Sequence, residues 1–183
     1  MRSLIVWIGI LTLGLAGPMA SACEPWDLDD TRRSGLFERL ADAPDETAGR
    51  AVAQEIWAFW SEAPDAKSQE LMDRIYDRRR WKDFKAAESA ARELTEYCPE
   101  YSEGWNQLAT MLFFRDRLEA SLDAIVRTLA LEPDHFGALS GRAVILMRQG
   151  QTELGQIALR QAVAIHPWLS ERHLLIPEPG QKL

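Results

Sequence analysis

The stretch Ser102–His135, SEGWNQLATMLFFRDRLEASLDAIVRTLALEPDH, decides the fold. Trp105, Leu108, Ala109 and Leu112 recur at the spacing of one helix face, and Leu118, Ser121, Ile125 and Leu129 form a second such series before Pro133 closes the unit. Pro99 and Pro167 stand 34 residues to either side of Pro133, and each also ends a stretch that reads as two amphipathic helices. A fixed period of this length marks a helical-hairpin repeat, in which each unit stacks on the last because it cannot bury its apolar face alone. The expectation is an all-α array of antiparallel helical hairpins. Each Pro sits just past a second helix, where its missing N–H is not needed and the chain must turn. Ala109 and Ala143 are small where two helices cross, and an unpaired polar group at Ala109 would cost roughly 1–3 kcal/mol. Arrays of this kind bind other proteins along an extended surface far more often than they do chemistry.

The unit around Trp105 resembles the tetratricopeptide repeat (TPR), whose pattern runs W-x2-L-G-x2-Y, then A-x3-F, then P over the same period. Trp105 and Leu108 match outright, while Ala109, Leu112, Ser121 and Ile125 keep the size of the family's Gly, Tyr, Ala and Phe. The following unit fits through Leu139, Ala143, Leu146, Gly150, Leu159, Ala162 and Pro167, with Arg142 departing where the family has Leu. The preceding unit fits through Leu71, Ile75, Phe84, Ala87, Ala91, Leu94 and Pro99, with Arg74 and Arg78 departing. The chain is also similar to small exported TPR proteins of Gram-negative bacteria, through Glu103-Gly104-Trp105-Asn106-Gln107 and Pro167-Trp168-Leu169-Ser170-Glu171-Arg172.

The resemblance implies a right-handed TPR-like α-solenoid whose inner wall is lined by the first helix of each hairpin. Carried over residue by residue, that wall is Met72, Tyr76 and Arg79, then Asn106, Thr110 and Phe113, then Ser140, Val144 and Met147. Mixed apolar and amide groups suit an extended peptide or a helix as partner. The family's carboxylate clamp pairs Lys with Asn, and only Asn106 matches that set. Trp105 takes the family's packing position rather than a ligand position.

Working outward, Arg2, the apolar run Leu4–Leu15, the break Gly17-Pro18 and the small residues Ala20-Ser21-Ala22 have the layout of a secretory signal peptide over residues 1–22. The run falls short of the ~20 residues of a spanning helix, so export to the periplasm or medium is expected, with a mature chain from Cys23. Residues 23–34 read as an acidic arm laid over the first repeat or left loose. Residues 35–67 read as a shortened TPR-like hairpin that caps the array, with Leu36, Phe37 and Leu40 on one helix and Val52, Ile56, Trp57, Phe59 and Trp60 on the next. Repeats follow at 68–101, 102–135 and 136–169, then a closing turn and loose tail over 170–183.

The formal charge of −7 becomes −8 once Arg2 is cleaved away, which argues against nucleic acid, whose phosphates demand a basic face. No zinc spacing, Gly-rich phosphate loop or nucleophile elbow occurs, so no metal, cofactor, small-molecule substrate or enzymatic activity is inferred. His135, His166 and His173 fall near repeat junctions or ends, without the paired helical spacing of a metal site. Arg74, Arg78, Arg79, Arg80, Lys82 and Lys85, punctuated by Asp73, Asp77 and Asp83, form a basic stretch. It reads as a solvated helix face or as a contact for an acidic partner or lipid headgroups.

Cys23 and Cys98 are the only cysteines. Outside the cytoplasm two cysteines tend to pair, and the loop they would close favours the folded state by roughly 4 kcal/mol in the chain-entropy model. Lipidation of Cys23 is the competing fate, in which the chain is an envelope lipoprotein serving as scaffold for a cell-envelope assembly or cell-wall enzyme. Free thiols are the third. The small residues before Cys23 fit a lipoprotein signal, but the usual Leu three residues ahead of the cysteine is missing. A lipidated sulfur cannot form a disulfide, and a membrane partner follows only from lipidation.

Overall fold

The computed structural model describes residues 23–25 and 29–177. The expected signal peptide, Trp26 and residues 178–183 of the tail lie outside the described residues. The described residues form eight α-helices and no strand: α1 Asp30–Ala41, α2 Glu46–Trp60, α3 Ala66–Arg80, α4 Phe84–Tyr97, α5 Ser102–Phe114, α6 Leu118–Leu131, α7 Phe136–Arg148 and α8 Thr152–Ile165. A short 3-10 helix follows at Ser170–Leu174. Pro44, Pro64, Pro99, Pro133 and Pro167 each lie between two helices.

Local chemistry sets the helix ends. Asp29, Asp45, Asp65 and Asp83 accept a hydrogen bond from the backbone N–H three residues on, starting α1 to α4, and His135 does the same for α7 through its ring. Within the hairpins α3/α4, α5/α6 and α7/α8 the turn places Lys82, Asp116 and Gly150 at φ 58°, 59° and 78°. These three positions are themselves 34 residues apart, so the period is written in the backbone as well as in the side chains. At the helix crossings, Ser121 donates to the Ala109 carbonyl at 2.7 Å, and a Cβ on Gly155 would stand 2.9 Å from the Ala143 carbonyl oxygen. Trp105 is half-buried against the core, its indole N–H donating to the Pro99 carbonyl at 2.9 Å and the Arg127 guanidinium 5.3 Å from its ring.

The N-terminal hairpin departs from expectation. Helix α1 begins at Asp30, so the last residues of the expected arm are helical. The apolar residues of α1 and α2 share a core with α7 and α8, among them Leu40, Ile56 and Trp60 with Phe136, Leu139 and Leu159, whereas α3 to α6 are built around Leu71, Ile75, Leu94 and Leu112. The hairpin therefore covers the last repeat and not the first, which follows it in sequence.

Helix α2 runs along the three repeat junctions in reverse order. At the first, the Tyr101 hydroxyl donates to the Trp60 carbonyl at 2.7 Å; burial, then the Glu103 carboxylate, push that phenol well above its ordinary pKa, so it stays a donor. At the second, the Trp60 ring stacks on His135 with centroids 3.8 Å apart and planes 10° apart, and Trp57 meets His135 and Phe136 edge-on at 5.5 Å. At the third, the Trp168 indole donates to the Ala43 carbonyl at 3.1 Å and Arg172 pairs with Glu46 at 2.9 Å. Two glycines permit this approach: a Cβ on Gly137 would collide with the Trp57 ring, and one on Gly49 with that of Trp168. Arg33 of α1 adds an ion pair to the buried Glu132 and one to Asp134 at 2.9 Å.

Cys23 and Cys98 are joined in a disulfide with Cα atoms 5.2 Å apart, and the Glu24 N–H lies 3.3 Å from the Asp65 carboxylate. The beginning of the described chain is thereby fastened at the end of α4.

Candidate functional site

With α2 laid along one edge, the inner wall of the array becomes one side of a cleft of about 680 Å³, bounded by α2, α5, α7 and residues 166–171. Five of the nine expected wall residues line it: Asn106, Thr110, Phe113, Ser140 and Val144. The opposite side comes from Arg50, Gln54 and Trp57 of α2, with Trp168 closing the end.

The other four stand elsewhere. Met72 is wholly buried in the core beside Leu71 and Ile75. Tyr76 is half-buried and shares a 2.9 Å hydrogen bond with Ser61, in the turn after α2, so the return of the chain covers this position. Arg79 is exposed, lies over the Tyr76 ring at 5.1 Å and reaches Gln107 at 3.4 Å. Met147 is packed between α7 and α8, where the Gln156 amide meets its sulfur at 3.3 Å. The wall positions of the first repeat are thus taken up by core packing and by Ser61, and the cleft belongs to the second and third.

Beneath the cleft lies a buried polar network. The Glu103 carboxylate accepts from the Asn106 amide at 3.0 Å, from the Gln107 amide at 2.6 Å and from His135 Nε2 at 3.0 Å. His135 Nδ1 accepts the Ala138 N–H at 3.1 Å, which places the ring proton on Nε2. A buried carboxylate needs such donors, and with three of them it fixes α5 against the start of α7. Asn106 is thereby committed to Glu103 rather than free to pair with a ligand backbone, and Thr110 donates to the Asn106 carbonyl at 2.9 Å. Phe113, half-buried with the Arg148 guanidinium 5.9 Å from its ring, is the large apolar group on this wall.

His166 lines the cleft at the third junction, 4% exposed, with Phe136 at 5.0 Å and with Nδ1 lacking a hydrogen-bond partner among the described residues. Burial lowers its pKa below the ordinary 6.5, the nearby Arg172 adding to this and Glu171 opposing it. At Asp65 burial pushes the carboxyl up, but hydrogen bonds from the Ser68 N–H and hydroxyl, the Tyr97 hydroxyl and the Glu24 N–H outweigh it and hold the pKa at about 2, against an ordinary 3.8.

Two separate acid losses of stability follow. The unfolded chain protonates His166 near 6.5 while the folded chain resists, so stability falls as pH drops below 6.5 and levels off under the folded value. Asp65 contributes above 3.8, and that contribution is lost as pH falls toward about 2. Melting temperature measured against pH is expected to show both steps, and His166→Gln is expected to remove only the upper one. Retention of the upper step in that variant would exclude His166 as its source.

The side of the cleft that sequence reasoning did not assign to the site comes from α2 and the 166–171 segment. Their local signal is aromatic, Trp57 in α2 and Trp168 in the segment after α8. No family model matches the chain. It is 32% identical over 139 residues to a TPR repeat-containing protein of Rhizobium etli, an alignment covering 74% of this chain and 67% of that protein.

Proposed function

Because the chain belongs to the tetratricopeptide-repeat family, we propose that it is an exported, non-enzymatic protein-interaction module that grips a short segment of a partner protein in the cleft between α2 and the α5/α7 wall. The observation that carries this reading is the two-sided form of the cleft, whose volume of about 680 Å³ lies in the range of sites that enclose a compact ligand. Trp57, Phe113 and Val144 offer apolar surface for side chains, while Gln54 and Thr110 offer polar atoms to a peptide backbone. With Met72 and Tyr76 engaged elsewhere, the occupant is a few residues or a helix end rather than a peptide running the full length of the array.

Export is supported by the leader pattern and by the Cys23–Cys98 pairing, which fits an oxidising compartment. The same pairing weighs against the lipoprotein reading, because the Cys23 sulfur is already bonded.

Crosslinking pull-down from intact cells tests the proposal. Gln54→Trp, on the exposed side of α2, is expected to plug the cleft and abolish specific capture with little change in melting temperature. Phe113→Ala is expected to weaken capture by about 1–2 kcal/mol, roughly five- to thirtyfold. Undiminished capture by both variants would place the partner on another surface. Asn106→Ala is not a clean probe, since it removes a donor from buried Glu103.

A further inference from the structure

The opposite edge of the array, where the turns within the hairpins lie, carries a second surface of different chemistry. Trp81, the residue that ends α3, is 81% exposed, an extreme value for the largest apolar side chain in the protein. Phe114 at the end of α5 is 50% exposed and stacks on Phe84 at 4.7 Å, so the two neighbouring hairpin tips present aromatic groups side by side. Cations surround Trp81. Arg78, Arg80, Lys82 and Lys85 are exposed and make no salt bridge among the described residues, whereas Arg74 pairs with Glu93 and Arg115 with Glu88.

Beside the tip, Arg74, Arg78, Lys85 and Ser89 line a shallow depression of about 460 Å³, shared with Asp83, whose carboxylate caps α4 by accepting the Ala86 N–H at 3.1 Å. Lys82 holds φ 58° at the turn position that Gly150 fills in the last repeat, so a long cationic side chain stands where glycine is the relaxed choice. On a protein of net charge −7 this concentration of cations is a local reversal of the background.

We propose that this hairpin edge docks on an anionic phospholipid bilayer, with headgroup phosphates received by Arg78 and Lys85 and the Trp81 indole placed in the interfacial layer. A projecting Trp, without an apolar socket beside it, matches the amphipathic indole's preference for the headgroup region. Lys and Arg side chains around it reach phosphates while their stems cover apolar surface. An acidic protein partner would account for the cations but would need an apolar pocket of its own to receive Trp81, and the polyglutamate arm of the test separates it from a bilayer. Among the described residues no helix is long and apolar enough to cross a membrane. Helix α3, of 15 residues, separates this edge from the junction edge by roughly 22 Å at 1.5 Å per residue, so docking leaves the Trp168 end of the cleft accessible, while Phe113 at its other end lies 5.9 Å from Phe114. The inference goes beyond the peptide-binding reading and does not need lipid on Cys23.

The test is co-sedimentation of the full mature chain, disulfide intact, with vesicles of phosphatidylcholine alone and of equal parts phosphatidylcholine and phosphatidylglycerol. Binding to the anionic vesicles is expected to exceed binding to neutral ones by about tenfold or more at low salt and to collapse at high salt. Trp81→Ser and the double variant Arg78→Ser/Lys85→Ser are each expected to cut anionic binding about fivefold or more without altering the melting curve, since the side chains are exposed. Quenching of tryptophan emission by brominated lipid is expected to fall in Trp81→Ser. Equal binding to both vesicle types, or wild-type binding by these variants, overturns the proposal. So does failure to bind vesicles while polyglutamate binds, which assigns the edge to an acidic protein, or full displacement by inorganic phosphate, which assigns it to a free anion. Gln54→Trp is expected to bind vesicles normally, which keeps this result separate from the fate of the cleft.

Discussion

Trp60→Ala is expected to lower the stability of the protein by about 3–5 kcal/mol, the cost of truncating a fully buried large aromatic side chain. The Trp60 ring is wholly buried, stacked on His135 at 3.8 Å and packed against Phe136 at 4.9 Å and Phe37 at 6.1 Å. Its indole N–H has no hydrogen-bond partner among the described residues, so the loss is one of packing. Removal opens a cavity between α2 and the second junction, over the His135–Glu103 pair. For a protein of this size the loss corresponds to a fall of roughly 10 °C in melting temperature. Limited proteolysis reads the location of the effect: cleavage is expected first at residues 61–65, the segment that lets the hairpin swing away. Trp57→Ala, at a half-buried ring, is expected to cost less. An unchanged melting curve for Trp60→Ala would mean that α2 is not held at the junctions.

Reduction of the disulfide, or Cys23→Ser, is expected to cost about 4 kcal/mol, because the bond closes a separation of 75 residues and removes chain entropy from the unfolded state. Cys23→Ser is the better probe, since Cys98 is wholly buried and a serine there would add a buried hydroxyl. Thiol counting under denaturing conditions is expected to find none before reduction and two after. A diacylglycerol mass on the peptide that begins at Cys23 would replace this account with the lipoprotein reading. The bonded loop contains α1 to α4 entire, so disulfide and Trp60 act on the same segment from different sides: one restricts the unfolded chain, the other holds the folded one.

The two runs that carried the similarity to exported TPR proteins turn out to be docking points for α2. Glu103, Asn106 and Gln107 build the network under His135, on which Trp60 stacks, and Trp168 and Arg172 hold Ala43 and Glu46. Nothing in those residues taken singly points to an N-terminal hairpin. A buried Glu–His pair reads in sequence as two polar residues on different helices, and its partner Trp60 as one more apolar residue on a cap. Asn106 shows the same limit: it lines the cleft, but packing commits its amide to Glu103, which its register alone does not show.

What the sequence determined by itself is everything with a short period. Helices follow from spacings of three and four residues, the starts of α1 to α4 from capping Asp, the turns that end each unit from Pro, and the array from the 34-residue recurrence, because each depends on neighbours in the chain or on the next identical unit. The tertiary structure alone decided where α1 and α2 lie, and with them the shape of the cleft. Those placements rest on contacts between residues 75 apart for Trp60 and His135, 125 for Trp168 and Ala43, and 126 for Arg172 and Glu46. Such contacts leave no periodic trace, since an apolar helix face is written the same way whichever apolar surface covers it, and which surface wins is a matter of shape and burial in the folded molecule.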